Sequence, residues 1–414
     1  MNAPFGLHRR LPKNWESVAI KDVTSDWRGG APFEPEDFTE QGFPVLHKGA
    51  IQKGGQIAID PKKKTFTTES FVQSHQKSVI DQSYVAVTLR DLVPSGPSIG
   101  LVADLARFPS QKYILAQGAY GFHIDRGRLH PTYLVWLSNY EPFRLYMKRY
   151  AVGSTQIHVR TPVFQDLEIP LPPIAQQRRI ADILDRADAI RRKRQEAIRM
   201  TEELLRSAFL EMFGDPVTNP KGWEVVKLDA VTESKLGKMF WKESLTGLNP
   251  VPYLGNTHVR WRSFDLSELP TMDFSESELQ KLDLRDGDLV VCEGGEVGRC
   301  AIWRNQLKEI SFQKALHRVR CDETKVVPEY LQEYFFLMAK HGGLSSSTSS
   351  ATIAHLTGVK LKQLPLPLPP IEQQRLFQKV YATYEHSNQK YHNALAGQEN
   401  LFNSLLQTAF RGEL

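Results

Sequence analysis

Two long stretches of the chain place apolar residues three or four positions apart. This spacing follows the 3.6-residue turn of an α-helix, so each stretch is predicted to be a helix with one apolar face. The first stretch follows Ile174 and stops before Gly214-Asp215-Pro216, and the second follows Ile371. The shared stripe is typical of a coiled-coil seam. The residues predicted to pack the two helices together are Ile180, Ile183, Ile190, Leu204, Val380, Tyr384, Leu401 and Leu405.

The apolar face of the first helix is broader than a seam requires. A helix from Ala175 to Phe213 would be about 58 Å long at 1.5 Å per residue, longer than a small domain needs. Further apolar residues lie beside the seam, and because mutual packing would leave them uncovered, they are predicted to bind a partner protein. These residues are Leu184, Ile198, Leu205, Phe209 and Met212.

Both predicted helices open with the same pattern. The segment 171–178 (LPPIAQQR) recurs as 368–375 (LPPIEQQR), 197 residues later, and this offset holds from Pro131 to Phe213. A second match, between 12–16 (PKNWE) and 220–224 (PKGWE), has an offset of 208 residues. The chain is therefore predicted to contain two copies of one globular unit followed by one helix. Two such helices are predicted to pack antiparallel, which relates the units by an approximate two-fold axis.

Short apolar runs alternate with glycine and proline between the repeated segments. The runs 84–89 (YVAVTL) and 289–292 (LVVC) are typical of buried strands bounded by turns. The predicted fold class is α/β (α+β), with two twisted-sheet domains separated by two long antiparallel coiled-coil helices in a pseudo-two-fold repeat. The predicted segments are an N-terminal arm (1–14), a first domain (15–170), a first helix (171–214), a second domain (215–367) and a second helix (368–414).

Composition is that of an ordinary folded protein. The 414 residues suffice for two domains, and 41% hydrophobic and 24% charged residues are typical of globular chains. No apolar run approaches the ~18 residues needed to cross a bilayer, and residues 1–10 lack a signal-peptide core, so a cytoplasmic location is predicted. Three cysteines without C-x-x-C spacing indicate reduced thiols and no metal site.

Common catalytic motifs are missing from the sequence. It has no G-x-x-x-x-G-K-[ST] phosphate loop, no H-E-x-x-H helix and no G-x-S-x-G elbow. The segment 249–253 (NPVPY) resembles the Asn-Pro-Pro-Tyr loop of adenine methyltransferases, but its inserted valine changes the spacing and no glycine-rich cofactor loop precedes it. His123, His130 and His158 lack metal-ligand spacing. No catalytic, metal-binding or cofactor-binding residue is therefore assigned.

The charge pattern permits nucleic-acid binding without requiring it. The net charge is only +5, because 47 acidic residues oppose 52 basic ones. The run Arg191–Arg194 has two interpretations. It either contacts DNA phosphates or forms a solvated helix face with salt bridges to Asp185, Asp188 and Glu196.

The duplicated P-P-I-x-Q-Q-R openings, the helices behind them, the FGDP segment at 213–216 and the GDL segment at 287–289 closely resemble the specificity subunit of type I restriction-modification systems. The resemblance extends over almost the whole chain. It implies that each globular unit is a target recognition domain for one half of a bipartite, asymmetric site in double-stranded DNA. It also implies that the helices set the half-site spacing and dock two modification (methyltransferase) subunits, to which restriction subunits are added. S-adenosylmethionine and ATP would belong to those partners, and this chain would hold no cofactor and do no catalysis.

In such a subunit, polar and basic loop residues are the candidates for DNA contacts, because phosphates attract cations and base edges take hydrogen-bonding groups. The segments 146–160 and 340–355 are rich in such groups, and Trp241 belongs to a further basic and aromatic cluster at 260–262. The predicted DNA-binding residues are Lys148, Arg149, Gln156, Arg160, Arg260, Trp261, Arg262, Lys340, His341, Ser346 and Thr348. Two alternatives stay open: a coiled-coil scaffold whose domains bind proteins, and a chain that methylates DNA alone through 249–253.

Overall fold

A computed structural model describes residues 11–60, 65–108, 112–239, 247–344 and 355–414. The chain divides into two compact units. Unit 1 comprises Met1–Gln195 and Asn393–Leu414, and unit 2 comprises Glu196–His392. Both divisions fall inside long helices, and Gln195 and His392 are 197 residues apart, the same offset as the repeated openings. Residues 1–10 of the predicted N-terminal arm lie outside the described residues, and the other predicted segment boundaries stay predictions.

Unit 1 consists of short strands and helices. Its strands are β1 (Glu16–Ala19), β2 (Thr24–Gly29), β3 (Phe43–Leu46), β4 (Phe66–Thr67), β5 (Val79–Ile80), β6 (Val85–Thr88), β7 (Arg90–Asp91), β8 (Val102–Asp104), β9 (Tyr113–Leu115), β10 (Ala119–Ile124), β11 (Ile157–His158) and β12 (Glu168–Leu171). Its helices are α1 (Glu69–Ser74), α2 (Pro131–Asn139), α3 (Glu141–Arg149), α4 (Thr161–Gln165) and the first part of α5 (Ile174–Phe213).

Two sheets form the body of unit 1. The central sheet is antiparallel with the order β2-β10-β6-β8, and the second sheet has the order β4-β3-β9-β5. β6 is buried along its whole length, as the apolar run around it predicts. In the second sheet β3 and β9 run parallel, with Leu46 opposite Leu115. α2 packs on β8 and buries Tyr133 and Trp136 in the core.

Unit 2 repeats this architecture. Its strands are β13 (Val225–Lys227), β14 (Thr232–Leu236), β15 (Pro250–Leu254), β16 (Val259–Arg260), β17 (Ser263–Phe264), β18 (Thr271–Asp273), β19 (Leu289–Cys292), β20 (Cys300–Ile302), β21 (Ser311–Phe312), β22 (Leu316–Cys321) and β23 (Pro365–Pro367). Its helices are α6 (Glu276–Lys281), α7 (Pro328–Lys340), α8 (Gly358–Lys362) and the first part of α9 (Ile371–Phe410). The sheet order β14-β22-β19-β20 matches the central sheet of unit 1, and β15 pairs in parallel with β21 as β3 does with β9.

The two long helices are each 40 residues long and are antiparallel within each unit. In unit 1, the guanidinium of Arg191 lies 5.0 Å from the ring centre of Phe402. In unit 2, the ring centres of Phe209 on α5 and Phe377 on α9 lie 5.4 Å apart. Glu202, which precedes Phe209 on α5, interacts electrostatically with Tyr384, which follows Phe377 on α9, so the two helices run in opposite directions. The predicted α/β (α+β) class, with its internal repeat and two long helices, is confirmed.

A buried glutamine joins each long helix to the sheet domain beside it. In unit 1, the side-chain oxygen of Gln177 accepts from the backbone N–H of His130 at 2.8 Å, and its NH₂ group donates to the carbonyls of Arg128 and Pro172 at 2.8 and 2.7 Å. Because His130 precedes the first turn of α2, this bond satisfies a backbone group at the start of that helix.

Gln374 makes the equivalent bonds in unit 2. Its oxygen accepts from the N–H of Val327 at 3.1 Å, and its NH₂ group donates to Lys325 and Pro369 at 3.1 and 2.8 Å. Both glutamines are fully buried. The second glutamine of each Gln-Gln-Arg segment therefore bonds its long helix to the domain beside it, and we call this contact the glutamine joint. The same contact in both units explains why the pattern occurs twice.

The long helices bury a different edge of their apolar face from the one predicted. Leu184, Leu205 and Phe209, which were expected to face a partner, are fully buried by this chain; Ile198 is buried as well and Met212 is half-buried. Among the predicted seam residues, Ile180 and Tyr384 are buried and Ile183 and Leu405 are half-buried. The others are exposed: Ile190 at 54%, Leu204 at 68%, Leu401 at 59%, and Val380. A stripe about 100° wide fixes the period of a helix but not which edge of the stripe lies inward.

Two arginines of the basic run on α5 form ion pairs with the same carboxylate. Arg191 and Arg192 both contact Asp188, at 2.5 and 2.8 Å, and the carboxylate of Asp188 is buried. Asp185 instead pairs with Arg107 at 2.7 Å. These contacts support the salt-bridge interpretation for Arg191 and Arg192. Among the described residues, no helix has the length and apolar character to cross a membrane.

Candidate nucleic-acid interface

The predicted DNA-binding residues of the two units lie on different described elements. Unit 1 has α3 and the short antiparallel pair β7–β11, and unit 2 has the β16–β17 hairpin. Most of the predicted DNA-binding residues lie on or next to these elements. The elements that carry these residues therefore have side chains that suit DNA contacts.

In unit 1, all four predicted residues are exposed. Lys148 and Arg149 occupy the last turn of α3, Gln156 precedes β11, and Arg160 precedes α4. Helix α3 is anchored by Arg144, which donates to the carbonyls of Gly96 and Pro97 at 3.0 and 2.7 Å and also to that of Ile99. Lys148 and Arg149 are thus presented to solvent from a fixed helix.

In unit 2, the hairpin residues divide into two groups. Arg260 is exposed, with its guanidinium 3.6 Å from Asp265. Trp261 is half-buried; its indole N–H donates to Glu296 at 2.7 Å and its ring packs edge-on against Phe336 at 5.2 Å. Arg260 is available for a DNA phosphate, whereas Trp261 serves mainly to fix the hairpin.

Arg262 is a structural residue and not a surface one. It has a positive φ of 63° in the turn of the hairpin, and its side chain turns inward to make two bonds to the fully buried Glu333, at 2.5 and 2.6 Å. Its guanidinium lies 4.1 Å from the ring centre of Phe336. Burial lowers the pKa of Arg262, but the charge and hydrogen bonds of Glu333 raise it by more, so the pKa lies above its ordinary value. The prediction that Arg262 contacts DNA is therefore wrong, because its guanidinium is paired with Glu333 inside unit 2.

The remaining predicted residues lie at the end of α7. The ammonium group of Lys340 is half-exposed, 4.0 Å from Glu296, and the ring nitrogen Nδ1 of His341 lies 2.8 Å from a carboxylate oxygen of Asp215. Ser346, Thr348 and Trp241 lie outside the described residues. The His341 contact ties α7 to the segment that ends α5, so Lys340 is the more available of the two.

A Ser-His-Asp arrangement on unit 1 does not form a nucleophile. Ser83 Oγ lies 3.1 Å from His123 Nε2, and His123 Nδ1 lies 3.7 Å from Asp26. The single hydroxyl hydrogen of Ser83 is donated to Asp81 at 2.6 Å, so His123 cannot take it as a base. Burial, followed by its bond to Asp26, raises the pKa of Tyr84 to about 12. The cluster is a polar surface network.

The segment 249–253 does not form a catalytic loop. Pro250 begins strand β15, and the side chain of Asn249 donates to the backbone carbonyl of Phe274 at 2.6 Å. Tyr253 is buried in the core. Among the described residues, no group of three or more His, Cys, Asp or Glu side chains could hold a metal ion.

A position that the sequence analysis did not single out recurs in both units. Gly30 follows β2 and Gly237 follows β14. A Cβ at Gly30 would lie 2.0 Å from the carbonyl oxygen of Ala116, and one at Gly237 would lie 2.4 Å from that of Gln313. Both positions therefore require glycine. In the sequence, this shared position could have been recognised from two glycines 207 residues apart, each following a strand.

These glycines bring matching loops together. The carbonyl of Ala31 accepts from the N–H of Gln117, and the carbonyl of Lys238 accepts from the N–H of Lys314, both at 2.8 Å. Gln117 and Lys314 therefore occupy corresponding positions just after the parallel strands β9 and β21. By the same register, Lys48 after β3 corresponds to Asn256 after β15. The same backbone arrangement therefore carries Lys48 and Gln117 in unit 1 but Asn256 and Lys314 in unit 2.

Comparison with known proteins agrees with this duplicated arrangement. A family model described as type I restriction modification DNA specificity domain matches residues 12–200 and 220–392. The type I restriction enzyme EcoKI specificity subunit from Escherichia coli (strain K12) is 24% identical over 440 residues, covering 98% of this chain and 90% of that relative.

Two solved structures have the same fold. The crystal structure of the type-I restriction-modification system S subunit from M. genitalium has a TM-score of 0.60 at 14% identity and covers 98% of both chains. A structure concerned with complex assembly and conformational transition of the type I R-M system has a TM-score of 0.52 at 20% identity, covering 98% of this chain and all of that one.

Proposed function

Because this chain belongs to the type I restriction modification DNA specificity family, we propose that it directs a modification complex to a DNA site made of two different halves, one read by each unit. The chain is a DNA-specificity component and not a catalytic subunit. The proposed ligand is double-stranded DNA. Methyl transfer from S-adenosylmethionine and ATP-driven work are assigned to partner subunits.

One observation carries the proposal: the units share a sheet order, a glutamine joint and a glycine position, yet differ in exposed polar side chains. The shared features hold a similar body in place, while unit 1 exposes Lys148 and Arg149 on α3 and the described part of unit 2 exposes Arg260 on the β16–β17 hairpin. Phosphate contacts give affinity and base-edge contacts give sequence preference. Two unlike surfaces on one frame suit two unrelated half-sites.

The long helices are proposed to set the half-site spacing and to dock two modification subunits. Exposed apolar side chains remain on them after the buried edge is accounted for: Ile190, Met200, Leu204, Val380 and Leu401. Met200 and Leu204 lie one turn apart on the same face of α5, and clustered exposed apolar residues are typical of a protein interface. The predicted partner surface therefore moves from Leu184, Leu205 and Phe209 to these residues, and restriction subunits would join through the modification subunits.

Exchange of one domain tests the half-site assignment. Replacing residues 15–170 with the equivalent domain of a related specificity subunit is expected to change one half of the methylated motif and to leave the other half and the spacing unchanged. The measurement is sequencing of methylated DNA from cells that express each chain with its modification subunit. The matched control exchanges residues 215–367 and should change the opposite half.

A change in both halves after either exchange would show that the units do not read DNA independently. The scaffold alternative makes a different prediction. A protein-binding scaffold would show neither sequence-specific nor salt-dependent DNA binding in the presence of the modification subunit, whereas phosphate contacts make affinity fall with salt.

A further inference from the structure

A cavity of about 520 Å³ opens beside the parallel strand pair of unit 1. This volume lies within the ~300–1,000 Å³ that small-ligand sites occupy. Its walls include the rings of Phe33 and Phe38, whose centres lie 4.9 Å apart, and Phe71 lies 4.3 Å behind Phe33. Leu92 lies at the solvent-exposed side. The cavity is therefore bordered by a group of aromatic side chains, the kind of side chain on which nucleobases stack in proteins.

Two side chains in the cavity offer hydrogen-bonding groups of opposite kind. The oxygen of Gln117 accepts from Arg90 at 3.0 Å, which leaves its NH₂ group as a donor for a ligand. The Nδ1 atom of His47 lies 2.6 Å from the carbonyl of Lys48, so Nδ1 donates and Nε2 is left as an acceptor. A donor and an acceptor beside stacking rings match the edge of a nucleobase.

The cavity also has two neighbouring cations. Burial, and then the charge of Arg90, lower the pKa of Lys48. Lys48 lines the cavity, and Arg90 adjoins it through its 3.0 Å bond to the side chain of Gln117. Such a pair attracts an anion. The segment that carries the two rings also contains Glu34, Glu36 and Asp37, whose carboxylates repel a phosphate. A phosphate is therefore expected on the side of the cavity where Lys48 and Arg90 lie.

We propose that this cavity binds one base of the bound DNA, turned out of the duplex, and that Lys48 and Arg90 contact the phosphate beside it. The inference rests on the proposed function, because it places a base of one half-site in unit 1. The combination of stacking rings, edge groups and adjacent cations selects a nucleotide over an apolar peptide, which would use neither cation. In unit 2 the corresponding positions carry Asn256 and Lys314, so unit 2 does not repeat this set of side chains.

Substitutions in the cavity test the inference in the full chain bound to its modification subunit. Once the motif is known from methylation sequencing, 2-aminopurine is placed at each position of the unit 1 half-site in turn. A methyltransferase turns out the base that it methylates, so fluorescence is expected to rise there in any case. The cavity predicts one further position at which fluorescence rises on binding. Phe38→Ala should abolish that rise and weaken binding about five- to 150-fold, since stacking on an aromatic side chain is worth ~1–3 kcal/mol per base. Phe38→Tyr, which keeps the ring, is the matched control and should retain both.

A second variant avoids dependence on the folding of the Phe38 variant. Gln117 is exposed, so Gln117→Ala should leave unfolding unchanged and broaden the methylated motif at the same single position. The proposal is overturned if no position other than the methylated one gains fluorescence, or if both variants keep the wild-type motif and affinity. It is also overturned if Phe38→Ala reduces only co-purification with the modification subunit. In each case a successful domain exchange would leave the proposed function standing.

Discussion

Replacing Gln374 with leucine is expected to lower the free energy of unfolding of unit 2 by about 3 kcal/mol. The buried amide bonds three backbone groups at once: the N–H of Val327 and the carbonyls of Lys325 and Pro369. Leucine leaves all three without this partner, and each buried polar group left unpaired costs about 1–3 kcal/mol. Urea unfolding of the wild type and the variant measures the loss.

The neighbouring glutamine provides a control with the same chemical change. Gln373→Leu alters the adjacent, half-exposed position of the same motif and should change stability by less than about 0.5 kcal/mol. In unit 1, Gln177→Leu should reproduce the large loss through His130, Arg128 and Pro172. Equal effects at positions 373 and 374 would contradict the assignment of the joint to the second glutamine.

Arg262→Ala is expected to destabilise unit 2 by about 3–5 kcal/mol. The substitution leaves the carboxylate of Glu333 fully buried without its charge partner, and breaking a buried ion pair on one side has this cost. Adding Glu333→Gln should recover part of the loss, because the buried charge is then removed. Urea unfolding of the single and double variants measures both effects.

Arg260 is the control on the same hairpin. Its guanidinium is half-exposed, so Arg260→Ala should leave the unfolding midpoint nearly unchanged while lowering the affinity of the complex for DNA. The interpretation of Arg262 fails if Arg262→Ala is as stable as the wild type and changes only DNA binding.

The existence of the long helices and of the repeat could be predicted because both are periodic in sequence. The orientation of each helix could not. Ile190 and Leu184 belong to one apolar stripe, and only the packed domain shows that Leu184 is covered while Ile190 is exposed. The same limit applies to Gln176 and Gln177, since two adjacent glutamines look alike until the start of α2 is placed against one of them.

The candidate interface was predictable only where a charged side chain stays exposed and is not paired with a buried group. Lys148 and Arg260 are exposed as expected, but Arg262 finds Glu333 71 residues away, and no local pattern shows that pairing. The cavity residues were missed for a related reason. Phe38, Lys48 and Gln117 come from separate segments, which meet because β3 and β9 pair in parallel and Gly30 allows close approach.

Sequencing of methylated bases in cells that carry this chain with its modification subunit tests whether each unit reads its own half-site. The two units share a frame and differ in exposed side chains, so the methylated motif should consist of two unrelated half-sites. The helices are continuous, so a single fixed number of unspecified base pairs should separate the half-sites. A single uninterrupted motif, two identical half-sites, or half-sites at variable spacing would contradict the proposal that two different units read DNA at a fixed separation.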